Sequence, residues 1–195
     1  MTHPYPREFP AVLLPGELLA LAGDHERQAM GHYRRLAFRF LPFGRGISRL
    51  MATLGIECER RLAEIHRVAR ELEPPASRVA PPRGPAWPAG AEAESGKVAG
   101  LIAGRGQALA ALKLAEARAE HTVRVATHLE EINATPFLQA LLLGMLAQKQ
   151  AERHILAELV AAYDGADAED ARLAARDWPR GWLAGARRLP APSSG

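Results

Sequence analysis

The chain has 195 residues, a formal charge of +3, 48% hydrophobic residues and only 6% aromatic ones, which is enough for one domain with a real buried core. Alanine, leucine and arginine dominate without β-branched runs, so helices packed on helices are favoured over a sheet. There is no run of eighteen uncharged apolar residues, the start MTHPYPREFP lacks a charged-then-apolar signal pattern, and the single cysteine, Cys58, excludes an intramolecular disulfide. A cytoplasmic chain with no membrane partner is expected. Only Lys97, Lys113 and Lys149 among the 25 basic residues are lysine. Arginine suits phosphate because its planar fork donates in pairs, but a GC-rich coding sequence produces the same bias without any nucleic acid.

Residues 1–15 contain four prolines and read as a lead-in. From Glu17 to about Leu41 the apolar spacing is helical, with Leu18, Ala22, Ala29 and Leu36 on one stripe. Pro42 and Phe43–Gly44–Arg45–Gly46 break it. Ser48 is placed to cap a second helix whose stripe runs Met51, Gly55, Cys58, Leu62, Ile65, Ala69 and Leu72. Residues 74–96 hold six prolines with Ala, Gly and Ser, and read as a linker or long crossover. A third helix is clearest from Ala108 to Ile132. Thr135 and Pro136 then supply a cap and a first helical residue for a fourth helix to about Tyr163. A short helix near Asp167–Arg176 and a tail follow. The expected organisation is a lead-in (1–15), a four-helix bundle (16–166) and a short helix with tail (167–195). The architecture is all-α, and hairpin–long crossover–hairpin is the ferritin-like arrangement of such a bundle.

Ferritin-like di-metal centres take a Glu from each of two helices and a Glu-x-x-His pair from each of the other two. Spacing of three puts carboxylate and imidazole on one helix face. Glu26 lies beside Ala22, Ala29 and Tyr33, where an acid is costly unless paired or ligating; Glu116 and Glu120 are placed similarly on the third helix. A shift of 94 residues carries Glu26 onto Glu120, Glu57 onto Ala151 and Arg60 onto His154. Glu26, Glu57, Glu120 and His154 are therefore candidate metal ligands, with Glu59, Glu116 and Glu152 reachable by a change of helix register. No Glu-x-x-His occurs: the available pairs, Glu64–His66 and Glu152–His154, lie two apart and point about 200° apart. The competing expectation is that inner acids are neutralised by arginine from adjacent helices, with Arg60 or Arg61 in reach. A second constellation is Asp24–His25 with His32 and Glu120–His121 with His128, each histidine pair two turns and about 10 Å apart. Inward-facing histidines would suit a wide metal or haem site, and exposed histidines are the ordinary expectation.

ERQAMGHYRRLAFRF, beginning at Glu26, resembles the first ligand helix of rubrerythrins and, more closely, of the ferritin-like tRNA hydroxylases that act on methylthio-isopentenyl-adenosine. EARAEHTVRVATHLEE resembles that family's third helix and AERHILAEL its fourth. The resemblance covers roughly residues 17–163 apart from the linker. It implies single-Glu ligands at Glu26 and Glu120 and a fourth-helix histidine at His154. It also implies two iron ions, oxygen-dependent hydroxylation, tRNA as a partner and a separate redox partner, with a homodimer as a further expectation. The chain departs from the pattern where Ala151 replaces a glutamate and where Arg60 or Arg61 replaces a histidine. Those departures leave a metal-free bundle, used for binding or assembly, as the alternative.

Overall fold

A computed structural model describes residues 13–72 and 100–165. Four helices carry the fold: α1 (Pro15–Arg39), α2 (Arg45–Leu72), α3 (Arg105–Glu131) and α4 (Gln139–Gly165), the last entered through a 3-10 turn at Pro136–Leu138. The described residues contain no strand. The proline-rich stretch 74–96, most of the lead-in and the helix expected at Asp167–Arg176 lie outside the described residues.

Local chemistry sets the boundaries. Pro15 takes the first position of α1, where its missing N–H costs nothing, and the Glu17 carboxylate accepts the Leu14 N–H at 2.9 Å. After α1, the Gly44 N–H donates to Phe40 O at 2.9 Å, turning the chain into α2. That helix begins at Arg45, earlier than a Ser48 cap would place it. The Ser48 N–H already donates to Gly44 O at 3.0 Å. Its hydroxyl is therefore free to donate to Ala37 O at 2.7 Å, tying α2 to α1. Between α3 and α4, Pro136 is the first helical residue, as its fixed φ favours. The Thr135 side chain makes no capping bond there. Asn133 shapes the turn instead, accepting the Thr135 N–H at 3.0 Å and donating to Gln139 Oε1 at 3.0 Å.

The helices pack through two apolar clusters. One joins Leu36, Phe40, Ile47 and Met51 to Leu112, Leu156, Leu159 and Tyr163. The other joins Leu18, Leu21 and Ile65 to Leu129, Leu138 and Leu142. Each such buried side chain contributes about 1.5–3 kcal/mol relative to exposure. The early residues of α1 thus share an end with the late residues of α2 and α3 and the early residues of α4. So α1 runs antiparallel to α2 and α3 and parallel to α4. Leu72 packs on the second cluster, whereas Ile102 belongs to the first and donates its N–H to Arg39 O at 2.9 Å. The points where α2 ends and α3 begins are therefore at opposite ends of the bundle. Among the described residues, no helix is long and apolar enough to cross a membrane.

Candidate functional site

Between the two apolar clusters lies a polar layer. On α1, Glu26 falls between Ala22 and Ala29; on α2, Arg61 falls between Cys58 and Ile65; on α4, Lys149 and Glu152 fall between Met145 and Ile155. Spacings of three and four put each of these on the inner stripe of its helix. All four side chains are buried, Glu26 and Lys149 almost completely at 1% and 2% exposure. The Lys149 ammonium lies 2.9 Å from Glu26 Oε1 and 3.0 Å from its Oε2, and donates to Glu152 Oε2 at 3.4 Å. Arg61 Nε lies 3.1 Å from Glu26 Oε2, and Arg61 Nη2 donates to Glu152 Oε1. Arg61 Nη1 donates to Gln148 Oε1 at 3.1 Å, and the Tyr33 hydroxyl donates to Glu152 Oε2 at 3.4 Å. Two anions and two cations alternate, so the quartet carries no net charge.

Burial and charge oppose each other here. Burial alone would raise the Glu26 carboxyl, but Lys149 and Arg61 outweigh it and hold its pKa below the usual value. Burial would lower Lys149 and Arg61, but Glu152 and Glu26 hold both above their ordinary values. Tyr33 is raised well above 10 by burial and by Glu152, which keeps it a hydroxyl donor. The Cys58 thiol, 3.9 Å from Lys149 Nζ, is pushed up to about 12 by burial, with Glu152 and Glu26 opposing the thiolate. It behaves as a small apolar side chain and not as a nucleophile.

Of the candidate ligands, the structure brings Glu26 and Glu152 together and places the others elsewhere. Glu57 pairs with Arg60 at 2.7 Å, Glu59 with Arg34 at 2.9 Å, and Glu120 with Arg153 at 3.1 Å. His154 is exposed and pairs with Glu158 at 3.1 Å. Glu116 is half-buried on α3, outside the quartet. The displacements share one cause. Glu57 adjoins buried Cys58, Glu120 adjoins buried Ala119, and His154 adjoins buried Ile155. One residue is a rotation of about 100°, enough to carry each from the inner stripe to the flank. At this depth α3 gives alanines, Ala115 and Ala119, to the shared apolar cluster. Motif reasoning passed over Lys149, whereas Arg61 is one of the two arginines expected within reach of the inner acids. Their signal was present as charges inside the stripes Cys58, Arg61, Ile65 and Met145, Lys149, Glu152.

A di-iron centre fits this donor set poorly. Such a centre needs converging carboxylate and imidazole donors with anionic charge to offset the metal. The carboxylates that converge are already saturated by an ammonium and a guanidinium. Among the described residues, no group of three His, Cys, Asp or Glu side chains is placed to hold a metal ion.

The histidines form a separate row on the α1–α3 seam. His25 and His32 are each 6% exposed, contrary to the expectation that these histidines face solvent. On α3 the buried positions on either side of Arg118 are small, Ala115, Ala119 and Thr122. The His25 and His121 rings lie 6.0 Å apart. Arg118 Nη1 donates to His32 Nδ1, a nitrogen that accepts only while the ring is neutral. His25 is held down at about 4 by burial and then by His121, and His32 at about 3 by burial and then by Arg118. His121 is likewise lowered by burial and by Arg124. The acids nearest His25 are already engaged, Asp24 by Arg27 and Glu26 by the quartet.

No family model matches the chain, and neither a curated protein nor a solved structure does.

Proposed function

We propose that this chain is a metal-free bundle of ferritin-like design, serving as a binding or assembly module, in which internal cations stand where related centres would hold metal. The observation carrying this reading is the position of Lys149 and Arg61, each within reach of both Glu26 and Glu152. Internal charge balance removes the deficit that a divalent ion would otherwise fill. The helix directions also support ferritin-like kinship, because α2 ends and α3 begins at opposite ends of the bundle, the arrangement of hairpins found in ferritin-like bundles. The half-exposed position of Glu120 and the exposed one of His154 favour the same reading over an iron-dependent hydroxylase acting on tRNA.

Metal analysis is the test. The full chain, purified from iron-supplemented cells and then offered ferrous or manganous ion anaerobically, should retain far less than one ion per chain. Its thermal midpoint should not respond to either metal. Two tightly held ions per chain, lost on Glu120→Ala, would overturn this reading and restore the di-iron hydroxylase.

A further inference from the structure

We propose that the end of the bundle carrying the α1–α2 turn docks on the surface of an anionic lipid membrane. The sequence already sets this end apart. From Arg27 to Ile56 the chain has six arginines, at 27, 34, 35, 39, 45 and 49, and no aspartate or glutamate. Arg27 is neutralised by Asp24 and Arg34 by Glu59. Among the described residues, Arg35, Arg39, Arg45 and Arg49 have no carboxylate in ion-pair range. Asp164, at the close of α4, pairs with Lys113 at 3.1 Å. The opposite end is balanced instead, with Arg67 held between Glu64 and Glu71.

Apolar side chains project among these arginines. Phe38 is 64% exposed, Leu41 53% and Leu101 52%. Leu101 lines an open cavity of about 630 Å³ together with Pro42, Phe43, Ile102 and Ala103, and Leu41 adjoins Pro42 in the chain. Arg39 fixes this edge, because its Nε donates to Gly100 O at 3.3 Å while its carbonyl accepts the Ile102 N–H. Exposed apolar groups beside arginines that have no carboxylate partner among the described residues match a bilayer interface, where the apolar groups enter the acyl boundary and the guanidinium groups meet lipid phosphates. Single-stranded nucleic acid would use the same charges but stacks its bases on aromatic rings. Here two of the three protruding apolar side chains are leucines, so the composition favours lipid. Docking on a surface needs no spanning helix, and it replaces the expectation of no membrane partner, which rested on the lack of a spanning run.

The test is co-sedimentation of the full chain with phosphatidylcholine vesicles, with and without phosphatidylserine, at low and high salt. Binding is expected to the phosphatidylserine vesicles alone and to be released by salt. Arg45→Gln with Arg49→Gln should weaken it by about fivefold per arginine, hence about 25-fold for the pair. Phe38→Ser with Leu41→Ser should also abolish most binding while the helical circular dichroism stays unchanged. The proposal is overturned if phosphatidylserine vesicles fail to bind at low salt, or if both variants bind as tightly as the wild type. It is equally overturned if single-stranded RNA binds the wild type and the Phe38/Leu41 variant alike while vesicles bind neither. The outcome is independent of whether the central quartet ever takes metal.

Discussion

In the central layer, Glu26 keeps its charge because Lys149 and Arg61 lie against it; one helix face away, His25 and His32 are buried by giving their charges up. Both regions sit on α1, and both place ionisable groups where water is scarce. The quartet meets the desolvation cost by pairing, and its stability depends on every partner being present. The α1–α3 seam meets it by neutrality, helped by Arg118, which donates to an unprotonated ring. The first arrangement is sensitive to substitution and the second to pH.

The largest effect should come from unbalancing the quartet. Arg61→Met leaves two buried carboxylates facing one ammonium and should cost about 3–5 kcal/mol, read as a lower urea midpoint at unchanged slope. Replacing all four charged residues by apolar ones of similar volume should cost much less, because no charge is left stranded. If the single substitution proves harmless, the layer is not a closed network.

Acid should act on the seam before it acts on the quartet. A histidine whose folded pKa is depressed binds protons more readily when unfolded, so its stabilising contribution is complete above the unfolded value near 6.5. It is lost as pH falls toward the folded value, about 4 for His25 and about 3 for His32. Each such histidine contributes a slope of up to about 1.4 kcal/mol per pH unit in that window. Equilibrium unfolding between pH 7 and about 4 should therefore show falling stability, and His25→Gln should flatten the profile. Equal slopes in wild type and variant would remove the seam from the account. Glu26, whose pKa is lowered, has the same sign but loses its contribution only below the ordinary carboxylate range.

The smallest effect belongs to the ion pairs at the flank. Glu120 and Arg153 are about half exposed, and Arg153→Ala should change stability by less than about 1 kcal/mol in thermal unfolding. A loss as large as that of Arg61→Met would place Glu120 in the central network after all.

The helices and their order were legible because apolar stripes and proline breaks are local features. Glu26 was legible for a related reason, since an acid between Ala22 and Ala29 on an inner stripe demands a partner. What chose that partner was not legible. Glu26 and Lys149 are separated by 123 positions in the chain, and Arg61 and Glu152 by 91. Pairing across such distances depends on how the two hairpins are set against each other. Helix register was the other obstacle. Glu57, Glu120 and His154 each miss the inner stripe by one residue, a rotation too fine for a motif of moderate spacing to resolve. Lys149 was readable in principle, continuing the stripe Leu142, Met145, Lys149, Glu152 and Leu156, but it looks like the polar end of an apolar run. The arginine expected near the inner acids is there, as Arg61 and not Arg60.

A double-mutant cycle on Glu26→Gln and Lys149→Met tests the central claim most directly. Each single change strands a charge, whereas the double change removes one of each sign and leaves the Arg61–Glu152 pair intact. The account predicts that the double variant loses less stability than the two single losses added, with a coupling of about 2–3 kcal/mol. Losses that add to within about 0.5 kcal/mol would contradict it, because Lys149 would then not be the charge that holds Glu26 in the core.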